Sequence, residues 1–181
     1  MGKPFSGKGT QVGLLGGRLG LSTVSMGHLL REAHDKNPQD TNLWWKTVVQ
    51  GLNVPTAVKR PLVEEKLNQA TVGFILDNFP ATMDDLQFLE EYLTKTNKKI
   101  DRVFYLAISD ETVEQRRKII RGREDDEPMI IRQRLEGEFK GDLQPVLDYF
   151  KKQGILEEID GEKIVQEVHQ DIVSHLGIGS S

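Results

Sequence analysis

Apolar residues fall along this chain in two rhythms. One repeats every three to four residues. Val12, Leu15 and Leu19 share a face and predict a helix from Gly7 to Leu19. Gly13, Gly16 and Gly17 weaken that helix unless they let it pack closely on a sheet. Further helices are expected over 42–50 and 57–68, with Gly51 to Pro55 as the break between them. Others follow over 84–94, from Asp110 to about Arg121, and over 128–139, 143–153 and 163–176. Ser109 or Asp110 is placed to cap the helix that follows it. The second rhythm is continuous. Val72-Gly73-Phe74-Ile75-Leu76 runs apolar into Asp77, and Val103 to Ile108 is a second such run. Strands buried on both faces of a parallel sheet read this way. Leu21 to Ser25 and Ile155 to Ile159 are shorter extended segments. Strands alternating with helices predict an α/β domain, a parallel sheet covered on both faces. Ligands of such sheets sit beyond the carboxyl ends of the strands, where Asp77 and Ser109 stand.

Composition narrows the chemistry. The 181 residues suit a single domain with small inserted lobes. Cysteine is absent, which excludes disulfides, zinc–thiolate sites and thiol nucleophiles. Hydrophobic residues are 37%, charged residues 29% and the formal net charge −4. With a mean hydropathy of −0.45 these values describe a folded, soluble protein. The acidic balance argues against nucleic acid as a partner. No apolar run approaches the ~20 residues a membrane helix needs, so no membrane partner is expected. The start does not read as a signal peptide. A cytoplasmic monomer is the expectation.

Gly2-Lys3-Pro4-Phe5-Ser6-Gly7-Lys8 has the spacing of a phosphate-binding loop, G-x-x-x-x-G-K. Its glycines let backbone N–H groups point inward around an anion, and the next helix adds its positive end. Lys8 supplies a point charge for the β- and γ-phosphates. Gly9 stands where a hydroxyl residue usually follows the lysine, and Thr10 comes one place later. The competing reading is a Gly/Lys turn before an amphipathic helix. The strand ending in Asp77 weighs against it, because a magnesium–nucleotide site needs a strand-end carboxylate. A phosphate loop should also follow a buried strand, and only Met1 precedes Gly2. Either the first strand lies outside this sequence or the sheet lacks a central member. In the second case low stability and a poorly supported loop are expected.

Gly7-Lys8-Gly9-Thr10-Gln11 resembles the G-K-G-T-Q of the adenylate kinase family. Other segments resemble that family in order along nearly the whole chain. They are Val24 to Arg31, Gly51 to Pro55, Gly73 to Pro80, and Gly122 to Asp126 followed by Arg132-Gln133-Arg134-Leu135. The resemblance implies a three-layer α/β/α P-loop domain with sheet order 2-3-1-4-5. It implies a small helical monophosphate-binding lobe over 27–71 and a short lid over 121–126. It also implies magnesium-dependent phosphoryl transfer from ATP to AMP. By the same resemblance Gly2, Ser6, Gly7, Lys8, Gly9, Thr10, Arg116 and Arg121 would bind ATP, and Asp77 would hold Mg2+ through water. Met26, Arg31, Val54, Asn78, Ala81 and Asp85 occupy the AMP positions. Lys8, Arg31, Arg123 and Arg134 would be catalytic, with Asp125 and Asp126 orienting the lid arginines. Six of the ten arginines lie between Arg116 and Arg134, which suits multidentate phosphate binding. A salt-bridged, solvated helix surface is the competing account of that cluster.

Departures from the family pattern gather on the acceptor side. Met26 stands for threonine, His28 for aspartate, Asn78 for glycine, Ala81 for arginine and Asp85 for glutamine. Lys59 or Arg60 is a candidate replacement for the cation missing at Ala81. Two further readings therefore stay open: a kinase for another nucleoside monophosphate, and an ATP-binding module with a decayed acceptor site. His28 reads as a hinge or surface residue, and Trp44 and Trp45 as lobe core and partly exposed surface. His34, His169 and His175 lack metal-ligand spacing.

Overall fold

The computed structural model describes residues 1–118 and 127–178, the side chains of 138–140 excepted. Its four strands are β1 (Ser22–Ser25), β2 (Phe74–Asp77), β3 (Val103–Ala107) and β4 (Leu156–Asp160). Around them pack α1 (Lys8–Leu19), α2 (Met26–Lys36), α3 (Pro38–Val49), α4 (Thr56–Gln69), α5 (Met83–Thr96), α6 (Asp110–Arg116), α7 (Pro128–Arg134), α8 (Leu143–Lys152) and α9 (Val165–His175). A π-helical stretch, Leu135–Asp142, joins α7 to α8.

Side chains alternate across the strands, as a pleat requires. Phe104 and Leu106 of β3 meet Leu15 of α1 and Ile172 of α9. Val103 and Tyr105 point the other way, toward Leu86 of α5 and Val146 of α8. That alternation makes three layers, with α1 and α9 on one face and α5 and α8 on the other. Gly16 lets α1 lie close, since a Cβ there would stand 2.8 Å from Thr23 Cγ2. A second core, with Leu29, Val63, Leu67, Phe79 and Leu89, binds α2, α4 and α5 to β1 and β2.

β1 pairs parallel with β2, in register from Ser22 on Phe74 to Ser25 on Asp77. β3 pairs parallel with β4, from Val103 on Leu156 to Ala107 on Asp160. Among the described residues these are two separate two-stranded sheets. In the expected order the central place belongs to the strand before the loop. Here that place holds only Met1 and Gly2, through a parallel bridge from Gly2 to Leu106.

The boundaries differ from expectation in instructive ways. The helix α2 was not read from the sequence at all. Its apolar positions Met26, Leu29, Leu30 and Ala33 do recur at helical spacing, over about two turns. The helix α3 begins at Pro38, earlier than expected, because proline suits a first helical turn. Ser109 does cap α6, its side chain accepting from Thr112 N at 3.1 Å. That helix ends at Arg116, short of Arg121.

Candidate functional site

The loop between Met1 and α1 curls around its own lysine. Gly7 caps α1 with φ +91°, a conformation that favours glycine. Gly2 needs glycine for space, because a Cβ there would meet Leu106 O at 2.6 Å. Lys8 Nζ donates to Gly2 O at 2.7 Å and to Lys3 O at 2.8 Å. Buried Gln11, one turn into α1, donates to Val165 O at 2.9 Å and lies 3.1 Å from His169 Nδ1. It thereby ties α1 to α9.

A cavity of about 1120 Å³ opens over this loop. Ser6, Gly7, Lys8, Gly9 and Thr10 line one end, and Arg31, Asp77, Asn78, Arg116 and Arg134 complete the wall. Lys8, Arg31, Arg116 and Arg134 from four helices, with Lys163 from the turn after β4, thus line one space. Arg116 is aimed by two carbonyls, Phe5 O at 3.2 Å and Gly161 O at 2.8 Å. Arg31 folds across Gly27, its Nη2 3.3 Å from where a Cβ would be. Arg134 lays its stem against Gly51, where a Cβ would stand 2.9 Å from Arg134 Cγ. Asn78 takes φ +58°, which asparagine tolerates better than most residues. That conformation accounts for asparagine at a position where the family pattern has glycine.

Asp77 sits at the carboxyl end of β2 on the cavity wall. Its Oδ2 accepts from Ser25 Oγ at 2.9 Å. Its Oδ1 is buried and has no hydrogen-bond donor among the described residues. A buried carboxylate oxygen with spare acceptor capacity fits a metal-bound water. Ser6 Oγ is buried in the same condition. Three or more His, Asp or Glu side chains do not gather as an all-protein metal cage among the described residues.

The far end of the cavity is organised by Glu162, a residue the sequence reading passed over. It accepts from Ser109 N at 2.7 Å and from Thr112 Oγ1 at 2.6 Å. The Ser109 backbone bond, then the Thr112 bond, hold its carboxyl below the usual range. These bonds fix the turn after β4, whose Gly161 carbonyl in turn aims Arg116.

Other expected residues lie elsewhere. Met26 and Val54 are buried in the core beside Leu29 and Val63 rather than on the cavity wall. Ala81 is buried too, its N–H donating to Asp85 Oδ2 at 3.1 Å. Asp85 is fully buried and forms a short ion pair with buried Lys59. Thr56 Oγ1 donates to its other oxygen at 2.6 Å. Lys59 is therefore spent on Asp85 and does not supply a cation to the cavity. Arg60 bonds Glu91 at 2.8 Å and lies over the Phe88 ring. His28 is an exposed residue on α2 at the cavity mouth. Trp45 stacks on His34, with ring centroids 4.2 Å apart, while Trp44 packs on the core. Arg121, Arg123, Asp125, Asp126 and the whole 121–126 stretch lie outside the described residues.

Comparison with known proteins agrees with this geometry. The model of the family described as adenylate kinase matches residues 1–155. Adenylate kinase 1 of Nostoc sp. is 37% identical over 182 residues, covering 98% of this chain and 96% of that protein. Adenylate kinase of Tropheryma whipplei (strain Twist) is 35% identical over 95% of this chain and 92% of its own length. Adenylate kinase of Archaeoglobus fulgidus is 31% identical over 95% of this chain and 94% of its own length.

Proposed function

The chain belongs to the adenylate kinase family, and from that premise we propose how its own residues carry out the reaction. It is a phosphotransferase that moves a phosphoryl group reversibly between ATP and AMP, giving two ADP. Phosphoryl transfer needs little covalent help from the protein. It needs alignment of the two phosphates and neutralisation of charge on the oxygens between them. The convergence of Lys8, Arg31, Arg116 and Arg134 on one cavity carries this reading.

The triphosphate of ATP lies in the loop from Gly2 to Thr10, along the amides at the start of α1. Lys8 leaves the carbonyls of Gly2 and Lys3 for the β- and γ-phosphates. Arg116, aimed by Phe5 and Gly161, stacks on the donor base. Asp77 would hold Mg2+, and that ion would supply screening of the phosphate charge. Arg31 grips the acceptor phosphate. An oxygen of that phosphate attacks the γ-phosphorus in line, and the bond to the β,γ-bridging oxygen breaks. Arg134 neutralises the transferring group. The lobe over 27–71 carries Arg31 toward the donor, so that AMP rather than water receives the phosphoryl group. Met26, Val54, Ala81 and Asp85 act behind the acceptor pocket rather than on AMP itself. We read the protein as a cytoplasmic monomer; no helix among the described residues is long and apolar enough to cross a membrane.

The test is turnover by purified protein with Mg-ATP and a panel of nucleoside monophosphates. ADP forming from AMP is expected. Turnover confined to another monophosphate, or ATP binding without turnover, would overturn the reading.

A further inference from the structure

Arg134 stands at a junction. It is the last residue of α7, and the π-helical stretch Leu135–Asp142 begins directly after it. Eight π-helical residues in succession are unusual, because such turns ordinarily occur singly inside an α-helix. One side of this arm is anchored in the protein: Ile131 and Leu135 are buried with Leu86 of α5 and Val146 of α8.

The turn between α3 and α4 holds the other side, at both ends of the π-helical stretch. Gly51 lies against α7 with φ +70°. A Cβ there would stand 2.7 Å from Ile130 O and 2.9 Å from Arg134 Cγ. Glycine alone combines that backbone angle with so close an approach. Two residues on, Asn53 Nδ2 donates to Asp142 Oδ2 at 2.6 Å. The turn belongs to a packed body of its own. Val54 shares a core with Leu29 and Leu30 of α2 and Val63 of α4, and Trp44 and Val48 of α3 pack on it. Arg31 also stands on α2. The body that presents Arg31 thus grips the arm that presents Arg134.

We infer that Gly51 and Asn53 are positioning residues for the transfer step. Together they clamp the arm of Arg134 to the body of Arg31, and so fix the spacing of those two guanidinium groups across the cavity. Neither is among the described residues that line the cavity, so each acts through Arg134. What the spacing accomplishes rests on the proposed function; the clamp itself does not.

The experiment reverses the hydrogen bond in the full chain. Asn53→Asp sets one carboxylate against another. Adding Asp142→Asn restores an amide-to-carboxylate bond with donor and acceptor exchanged. At saturating Mg-ATP and AMP, Asn53→Asp is expected to lower kcat about tenfold and to leave KM for ATP within about twofold. The double variant should return kcat to within about threefold of the parent. Amide exchange over α7 and Leu135–Asp142 should quicken in Asn53→Asp and slow again in the double variant. If Asn53→Asp does not fold, Asn53→Ala takes its place, with a fall in kcat of about threefold or more. Equal kcat in parent and variants would overturn the inference, whatever the exchange shows. So would a fall in kcat that restoring the bond does not reverse. A parent chain that makes no ADP from ATP and AMP, yet shows the expected exchange pattern across the variants, overturns the proposed function and leaves the clamp standing.

Discussion

At the loop end of the cavity, backbone carbonyls hold Lys8 and Arg116, and Thr10 is exposed beside them. At the positions expected to meet the acceptor, Met26, Val54, Ala81 and Asp85 are buried, and the one carboxylate among them is sealed against Lys59. The loop end keeps its cations on backbone carbonyls that bear no formal charge. The Lys59–Asp85 pair holds α4 to α5. A charged residue at a ligand-contact position of a family can therefore be structural in one member, when a partner charge has entered the same pocket. Replacing glutamine by aspartate at Asp85 reads as a change of base selection until Lys59 is seen beside it.

This contrast can be broken from either end. Asp85→Asn leaves Lys59 buried without its counter-charge, and such a loss costs about 3–5 kcal/mol. Urea unfolding should show it, whereas the double variant Lys59→Met with Asp85→Leu should recover most of the stability. Lys8→Ala should do the reverse. It lowers kcat by about a hundredfold to a thousandfold while leaving the urea midpoint nearly unchanged. Arg31→Ala should raise KM for AMP about tenfold or more and leave KM for ATP within twofold, as steady-state rates with each nucleotide varied will show. The smallest effect belongs to Glu162. Its folded-state pKa is depressed, so its contribution is present above about pH 4.5 and is lost as pH falls through the lowered value. Glu162→Gln should flatten that acid limb of the Tm-against-pH curve and move Tm at pH 7 by no more than about 2 °C.

Much of the fold was legible because apolar runs announce buried strands. Phe74 to Leu76 and Val103 to Ala107 fell where expected, and the carboxylate at the end of the first run marked the cavity. The phosphate loop was legible for a related reason: glycine spacing and a lysine are local features. Long-range pairing was not. Lys59 and Asp85 lie on different helices, 26 residues apart, and Gln11 and His169 are 158 apart. A one-dimensional pattern shows that a polar residue is present, not which partner satisfies it. The helix α2 was legible as well, since Met26, Leu29, Leu30 and Ala33 recur at helical spacing, and that signal was passed over. Glu162 escaped because its role rests on a backbone N–H and a hydroxyl of a distant turn, a pairing that leaves no mark in composition.

The central claim is that Lys8, the amides of its loop and the surrounding guanidinium groups form one polyphosphate-binding cavity. Calorimetric titration of the folded chain with Mg-ATP tests it most directly. Saturable binding at one site per chain, abolished or weakened at least tenfold by Lys8→Ala, is the expected result. Heats no greater than dilution, from protein whose circular dichroism shows it intact, would contradict it.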